Sequence, residues 1–260
     1  MDKRYDKKIL FFDVDDTLVD SKTGKVPEST IEALHNLQEN GHKICISTGR
    51  PLFNKANPSI FFDVPWDGYV CFNGQGIYNK ERVMFYNYAY SKDVVRRLIE
   101  KVNEQKYNML LEEKRTVMAN EYFKYAKTAC EYFHMDMPPY EEYKGNDIFG
   151  MVMCAPCGCD ISVFKDIEEI ELYHGQNDYL DVVNKGINKK KGIEKMLEYY
   201  NMDGYVAFGD SNNDLEMMKG ADISICLGQG LETVKKVSTY VTDEVLEDGI
   251  YNACKKYKWI

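Results

Sequence analysis

Two carboxylates stand two residues apart where a short apolar run ends near the start of the chain. The run Ile-Leu-Phe-Phe at 9–12 has the character of a buried strand, and Asp13 and Asp15 follow it, with Thr17 close behind. In near-extended backbone, residues two apart project on the same side of the chain. Two such carboxylates repel each other unless a cation lies between them, and Mg²⁺ prefers oxygen ligands of this kind. The pair predicts a metal-dependent active site; the alternative is an acidic turn after a buried strand, because Asp is favoured in turns.

Two further apolar runs end in polar clusters in the same way. One leads into Ser-Thr-Gly-Arg at 47–50, and the other leads into Gly-Asp-Ser-Asn-Asn-Asp at 209–214. In open α/β sheets, ligands bind in the crevice at the carboxyl ends of the strands. We therefore expect the three loops to converge on one site, although Asp13 and Asp210 lie far apart in the sequence.

These clusters, taken in order along the chain, resemble the motifs of the haloacid dehalogenase-like phosphatases, and within them the Cof-type group with a large inserted cap. The resemblance rests on Asp13-Val14-Asp15-Asp16-Thr17, Ser47-Thr48-Gly49-Arg50, a lysine near residue 189 and Gly209-Asp210-Ser211-Asn212-Asn213-Asp214, with secondary similarity at 72–74 and 247–250. One departure is Asp16, where this group usually carries Gly. Its carboxylate either faces solvent or modifies metal affinity.

The pattern of elements predicts an α/β protein with a Rossmann-like parallel-sheet core and an inserted α+β cap domain, which the resemblance assigns to the C2 type. Strand and helix patterns alternate in the first block and again after 189, which is the pattern of a parallel sheet with crossover helices. Between them, helices alternate with hairpin-like strands. We place the catalytic core at 1–82 and 186–260 and the cap at 83–185.

The resemblance implies roles for four carboxylates. Asp13 is expected to attack phosphorus and form an aspartyl-phosphate, a known use of carboxylates in covalent catalysis. Asp15 is expected to protonate the leaving group, later to take a proton from water, and to give a metal its backbone carbonyl. Asp210 completes the expected metal ligands with Asp13 and Asp15. Asp214 is expected to lie behind them and to orient the ligands or the lysine.

The resemblance also implies that Thr48, Gly49, Asn213 and a lysine hold the phosphoryl oxygens. For Thr48 and Asn213 the alternative is ordinary loop hydrogen bonding. Arg50 contacts phosphate or pairs with an acid beside the site.

Helical geometry selects the lysine from the run Lys-Lys-Lys at 189–191. Lys189 precedes Ile193 by four residues and shares its inward face, whereas Lys191 lies on the charged side. Asn188 is a plausible N-cap, so Lys189 would occupy the first turn, where backbone N–H groups also favour an anion. The alternative is a solvated basic run, since most lysines are exposed.

Composition narrows the class of protein. The chain has 260 residues and a net charge of −9, which argues against general nucleic-acid binding, since that normally requires a basic surface. No apolar run approaches the roughly 18 residues that a membrane span needs, and the run after the N-terminus is too short for a signal peptide. Eight cysteines without an export signal favour reduced thiols and a cytoplasmic location.

Cys154, Cys157 and Cys159 raise the alternative of a zinc site, because Cys-x-x-Cys is a familiar zinc spacing. A second clear ligand pair is missing, and Cys130, His134 or His174 would serve only if the cap brought them together. We therefore favour ordinary thiols. The tyrosines of this region, including Tyr122, Tyr125, Tyr132, Tyr140 and Tyr143, are expected to be packing residues, with stacking on a ring-bearing substrate as the alternative.

The sequence thus predicts a phosphoric monoester hydrolase that uses Mg²⁺ and acts on a small phosphorylated metabolite, such as a sugar phosphate or a nucleotide-like cofactor. The cap is expected to select the substrate by size. A sugar phosphomutase is one alternative, and a non-catalytic protein that binds phosphorylated metabolites is another.

Overall fold

The computed structural model describes residues 7–54, 57–113, 115–121, 124–132, 135–174 and 178–260, the side chain of residue 132 excepted. The chain forms two compact units. The first comprises Met1–Gly49, Pro58–Tyr86 and Asn188–Ile260, and the second comprises Arg50–Asn57 and Asn87–Ile187. Within the described ranges, no helix has the length and apolar character needed to cross a membrane.

The described part of the first unit contains one sheet of eight strands in the order β13-β12-β11-β1-β2-β3-β4-β5. The strands from β13 to β3 run parallel to one another, and β4 is antiparallel to β3. Their bounds are β1 Ile9–Phe12, β2 Lys43–Ser47, β3 Gly68–Cys71, β4 Gly76–Asn79, β5 Met84–Asn87, β11 Val206–Gly209, β12 Ile223–Cys226 and β13 Tyr240–Val241.

Apolar residues predominate in the central strands of this sheet because these strands are buried on both sides. All four residues of β1 are fully buried, and so are residues 44–46 of β2. Continuous apolar runs of this kind are typical of parallel strands covered by helices. Phe12 stacks on Phe208 of the neighbouring β11, with ring centroids 4.6 Å apart. Aromatic packing therefore holds together the two strands that lead into the acidic loops.

Helices complete the first unit. One pair, α1 and α8, packs together, and α5 packs beside α6 and against β3. The bounds are α1 Glu28–Glu39, α2 Ile60–Asp63, α5 Lys189–Tyr200, α6 Leu215–Gly220, α7 Glu232–Lys235 and α8 Gly249–Lys256. The alternation of strand and helix gives the parallel connections that the sequence pattern predicts.

The second unit has an antiparallel sheet, which in the described residues has five strands in the order β7-β6-β8-β10-β9. Helix α3 packs on β6, and its buried Val94, Val95 and Leu98 join the apolar cluster on that face. The bounds are α3 Lys92–Glu104, β6 Asn108–Glu112, β7 Thr116–Met118, α4 Lys124–Tyr132, β8 Gly150–Cys154, β9 Ile170–His174 and β10 Leu180–Asn184. This unit is therefore an α+β insertion in the chain of the first.

The structure adds elements to the sequence interpretation and groups some segments differently. A 3₁₀ turn at Asn212–Asp214 precedes α6, and a second 3₁₀ turn lies at Ile161–Phe164. Strands β4 and β5 and helix α8 were not predicted. Strand β5 carries the first sheet beyond residue 82, and Arg50–Asn57 groups with the second unit. The domain boundaries at 82/83 and 185/186 stay predictions.

Candidate active site

The acidic and hydroxyl residues singled out in the sequence follow three adjacent parallel strands. Asp13 comes directly after β1, Thr48 after β2 and Asp210 after β11. Because β11, β1 and β2 are neighbours in the sheet, their carboxyl ends lie side by side. The Asp13 N–H donates to the Phe208 carbonyl at 3.0 Å, which continues the β1–β11 pairing into the loop. The topology therefore brings together residues almost 200 positions apart.

Three buried carboxylates form the centre of the site. Oxygen atoms of Asp13, Asp210 and Asp214 lie within 4.8 Å of one another, and among the described residues this is the one such group of three metal-ligating side chains. Their exposed fractions are 4%, 8% and 0%. The Thr17 hydroxyl donates to Asp210 Oδ1 at 3.0 Å. Thr17, which the sequence only placed near the site, therefore orients one carboxylate directly.

Lys189 is the cation that faces this cluster. Its Nζ donates to Asp13 Oδ1 and to Asp214 Oδ1, each at 2.6 Å, and its side chain is fully buried. The other oxygen of Asp214 accepts from the backbone N–H groups of Asp210 and Ser211, both at 3.0 Å. Both oxygens of Asp214 are therefore engaged, one by the lysine and the other by the loop after β11.

The start of α5 reaches this position because two glycines let the backbone approach closely. A Cβ at Gly74, where φ is +99°, would lie 2.0 Å from the Asn188 carbonyl oxygen, and a Cβ at Gly192 would lie 2.4 Å from Val70. Any side chain at either position would push α5 away from the turn that follows β3. These contacts therefore set the depth at which Lys189 enters the site.

The structure orients the three consecutive lysines differently. Asn188 caps α5, since its side chain accepts from the Lys191 N–H, which confirms the predicted N-cap. Lys189 turns inward, whereas Lys191 is exposed and pairs with Glu194 at 2.9 Å. Lys190 is half-buried. The helical face on which each lysine lies explains the difference.

Burial governs the protonation of the cluster. The pKa of Asp13 is raised to about 7, mainly by burial; Lys189 lowers it in part, and the charges of Asp214 and Asp15 add to the rise. The pKa of Asp210 rises to about 9, again through burial first and then through Asp13 and Asp214. Burial alone would lower the pKa of Lys189, but Asp13 and Asp214 outweigh it and raise that pKa. The lysine is therefore charged, and the carboxylates lack a full set of counter-charges.

The donor set fits a hard divalent cation. When the three carboxylates are ionised, one lysine leaves two negative charges uncompensated in a buried site. Carboxylate oxygens are the ligands of Mg²⁺ and Ca²⁺, and a cation beside them would return their pKa values toward the ionised range. Asp13 and Asp210 are the members best placed as ligands, because Asp214 is already engaged.

Asp15 and Asp16 differ from Asp13 in their surroundings. Both are half-buried, and neither carboxylate belongs to the buried group of three. Asp16 has a left-handed backbone conformation with φ of 56°, which is where Gly is favoured and which Asp tolerates better than most residues. Its Oδ1 accepts from the Ser21 N–H at 2.9 Å. The Asp16 carboxylate therefore stabilises its own loop.

Thr48, Gly49 and Asn213 meet around a residue that the sequence interpretation did not assign to the site. The Thr48 carbonyl accepts from the Asn73 N–H at 3.0 Å, and Asn213 Nδ2 donates to Asn73 Oδ1 at 3.0 Å. Thr48 is buried and Gly49 is exposed. The similarity at 72–74 was the sequence signal that marked this turn.

The cysteines of the second unit do not form a metal site in the described residues. Cys154 is buried on β8, Cys157 is exposed and Cys159 is half-buried, and all eight cysteines of the chain are free thiols. No group of three metal-ligating side chains in the described ranges includes any of them. Two residues considered with this region, Tyr122 and His134, lie outside the described residues, as does the side chain of Tyr132.

The sequence matches the haloacid dehalogenase-like hydrolase family over residues 10–254, nearly the whole chain. The chain belongs to this family. The match includes the loops that carry Asp13, Thr48, Lys189 and Asp210, so the family assignment and the geometry concern the same site.

Similar proteins cover nearly the whole chain. YitU of Bacillus subtilis, a 5-amino-6-(5-phospho-D-ribitylamino)uracil phosphatase, is 26% identical over 269 residues, which cover 96% of this chain and 97% of that protein. The structure of the phosphatase BT1666 of Bacteroides thetaiotaomicron matches with a TM-score of 0.87 at 25% identity and covers 98% of this chain and 96% of that one. The sugar phosphatase BT4131 matches with a TM-score of 0.84 at 28% identity and covers 98% and 100%.

These matches confirm three predictions made from the sequence. The family is the one that the motifs indicated, the fold is α/β with a parallel-sheet core and an inserted unit, and the enzyme class is that of the phosphoric monoester hydrolases.

Proposed function

We propose that this protein is a Mg²⁺-dependent phosphatase that hydrolyses a small phosphorylated metabolite through an aspartyl-phosphate on Asp13. One observation carries the proposal: Asp13, Asp210, Asp214 and Lys189 are buried together where β1 and β11 end. Phosphoryl transfer depends mainly on positioning and on offsetting the charge of the phosphoryl oxygens. A nucleophilic carboxylate beside a buried ammonium supplies both requirements.

Asp13 is the proposed nucleophile. Its carboxylate is held by Lys189 through Oδ1, so one oxygen is fixed and the other can attack phosphorus. The attack forms an oxygen–phosphorus bond and breaks the bond to the leaving alkoxide, which takes a proton from Asp15. Water then attacks the aspartyl-phosphate, and Asp15 accepts its proton. The half-buried position of Asp15 supports this exchange with solvent.

Lys189, Thr48, Gly49 and Asn213 are proposed to hold the phosphoryl oxygens. A lysine ammonium has three donors, and Asp13 and Asp214 accept two of them. The third remains for a phosphoryl oxygen. The Thr48 hydroxyl, the Gly49 amide and the Asn213 side chain are proposed to donate from the other side, since their loops meet at Asn73.

Asp13, Asp210 and the backbone carbonyl of Asp15 would hold the cation, and Asp214 would orient Lys189 behind them. When bound, Mg²⁺ would offset the negative charge of the carboxylates and of the phosphoryl group. The choice of Mg²⁺ over other hard cations is supported by the small number of protein carboxylates, because Mg²⁺ usually keeps several waters.

The substrate is proposed to be a sugar phosphate or a nucleotide-like phosphorylated compound. Two similar proteins act on compounds of this size, the ribitylaminouracil phosphate of YitU and the sugar phosphates of BT4131, and both align over nearly the whole chain. The second unit, corresponding to the cap proposed at 83–185, is proposed to select the leaving group. A cytoplasmic location is proposed from the eight free cysteines.

A phosphate-release screen over many metabolite monoesters tests the proposal. Activity is expected with Mg²⁺, to disappear with a chelator and to return when Mg²⁺ is added in excess. Hexose phosphates in the same screen distinguish hydrolysis from phosphomutase activity: free phosphate supports the proposal, and an isomeric sugar phosphate contradicts it. No turnover of any monoester would favour a non-catalytic binding protein.

A further inference from the structure

The turn that follows β3 contains a buried amide in an unusual backbone conformation. Asn73 is 9% exposed and has φ of 52° and ψ of 35°, the left-handed region. Residues other than Gly are uncommon there, although Asn is tolerated better than most. Conformations of this kind persist where the surrounding structure requires them, often at functional sites.

Three contacts connect Asn73 to two loops of the site. Its N–H donates to the Thr48 carbonyl, and its Oδ1 accepts from Asn213 Nδ2, both at 3.0 Å. A Cβ added at Gly49 would lie 3.3 Å from both Nδ2 and Oδ1 of Asn73, so the amide group lies against Gly49. Asn73 therefore contacts the loop after β2 through its backbone and through its side chain, and the loop after β11 through its side chain.

The amide pair also fixes the orientation of Asn213. Asn213 Oδ1 accepts from the Ser211 hydroxyl at 2.8 Å while one Nδ2 hydrogen goes to Asn73. An amide nitrogen has two hydrogens, and these two hydrogen bonds determine the direction in which the second one points. Asn213 is an exposed residue and would otherwise sample several rotamers.

We propose that Asn73 is a positioning residue that joins the Thr48–Gly49 loop to Asn213 and so fixes the spacing of the phosphoryl-binding donors on the two loops. The inference rests on the proposed function of those donors. Donors held in place before the substrate binds stabilise developing charge without reorganisation. A small displacement of such groups can lower the rate substantially.

Asn73→Gly isolates the side chain. Glycine adopts positive φ without strain and retains the N–H that donates to Thr48, so only the amide group is lost. Asn201→Gly is the matched control, because Asn201 has the same left-handed conformation with φ of 50° at the C-terminal end of α5. Both variants are compared with wild type by thermal unfolding, by calorimetric binding of inorganic phosphate with Mg²⁺, and by steady-state kinetics.

Asn73→Gly is expected to weaken phosphate binding and raise KM about tenfold, the effect of losing about one well-placed hydrogen bond to an anion. Asn201→Gly is expected to stay within about twofold of wild type, because its amide lies outside the site. Equal behaviour of the two variants overturns the inference, and so does a change in thermal stability without a change in phosphate binding.

Combination with Asn213→Ala tests whether Asn73 acts through Asn213. The double variant is expected to bind phosphate about as weakly as Asn213→Ala alone, since each removes the same pair. Additive losses would overturn the bridging role. If Asn73→Gly does not fold, Asn73→Ala takes its place in the cycle, because it also removes the acceptor opposite Asn213 Nδ2. Combined with Asn213→Ala, it must again bind phosphate about as weakly as Asn213→Ala alone.

The same measurements separate this inference from the proposed function. Wild type that binds phosphate but hydrolyses no monoester rejects the phosphatase proposal, while the Asn73 comparison still stands on the binding data. Wild-type turnover with equivalent Asn73→Gly and Asn201→Gly variants rejects the inference alone. Wild type that neither binds phosphate nor turns over a monoester overturns both.

Discussion

The two units of the molecule bury polar groups in different ways. In the first unit, Asp13, Asp210 and Asp214 face one lysine, and the pKa values of Asp13 and Asp210 are raised, first by burial and then by the neighbouring carboxylates. In the second unit, the buried polar groups include neutral amides that bond to each other: Asn108 Nδ2 donates to Asn120 Oδ1 at 3.3 Å.

The amides of the second unit complete its backbone hydrogen bonding. Asn120 Oδ1 accepts from the Met109 N–H at 3.1 Å, and its Nδ2 donates to the Tyr107 carbonyl at 2.7 Å. Buried polar groups satisfied in this way are compatible with stability, whereas buried charges without partners reduce it. The contrast agrees with the proposal that the charged cluster serves the reaction, whereas the amide network serves folding.

Asp13→Asn is expected to have the largest effect on activity. An amide is a poor nucleophile, so kcat should fall at least about 10⁴-fold, while the variant should fold at least as well as wild type because one of several repelling carboxylates is gone. Steady-state kinetics and thermal unfolding measure both effects. Asp16→Gly is the control, since Gly suits its positive φ; substantial activity in Asp13→Asn would remove Asp13 from its proposed role.

Lys189→Ala should reduce both activity and stability. Removing one partner of a buried ion pair typically lowers the free energy of unfolding by about 3–5 kcal/mol, and loss of a phosphoryl donor should reduce turnover at least about 10²-fold. Lys191→Ala should change stability by less than about 1 kcal/mol, because its pair with Glu194 is at the surface. Lys190→Ala and Lys191→Ala should both change turnover little. Comparable losses at all three lysines would defeat the assignment.

Glu112→Gln tests the second unit, where Glu112 is a buried carboxylate. Its pKa is raised from 4.5 to about 7 by burial, whose effect exceeds the opposite effect of the Thr116 hydroxyl. The folded state then holds a proton that the unfolded state releases, so this group's contribution to stability is greatest below pH 4.5 and declines as the pH rises to about 7. The free energy of unfolding of the variant, relative to that of wild type, should therefore rise over that pH range, by at most about 3 kcal/mol.

Thermal unfolding of wild type and Glu112→Gln between pH 4 and 8 measures that difference. Parallel stability curves would show that Glu112 has no raised pKa in the folded protein. A fall in kcat comparable with that of Asp13→Asn would erase the contrast between the two units, because it would place a second-unit carboxylate in the chemistry.

Local sequence patterns predicted much of the core and of the site. The run at 9–12 is continuous in apolar residues and forms β1, and the spacing from Lys189 to Ile193 placed both on the buried side of α5. The signals for β4 and β5 were weaker, because Gly76–Asn79 and Met84–Asn87 mix polar residues into short segments at one side of the sheet. Their strand conformation depends on pairing with neighbours, which a single segment does not encode.

The environment of each site residue was harder to predict than its presence. Asp16 and Asp13 lie three positions apart and have the same side chain, yet one stabilises its loop and the other is buried against Lys189. Asn73 was marked only by similarity at 72–74, because its contacts with Thr48 and Asn213 join positions far apart in the sequence. Neither outcome follows from residue type or spacing.

The sequence by itself determined which groups are available: carboxylates at the ends of apolar runs, a lysine on the apolar face of a capped helix, and hydroxyl and amide groups in the loops. These are local features, because hydrophobic periodicity and capping act over a few residues. Only the tertiary structure decided that Asp13, Asp214 and Lys189 touch and that Asn73 joins two loops. The order of strands in the sheet and the close approach of α5 at Gly74 set those distances, and both arise from packing between segments that are remote in the chain.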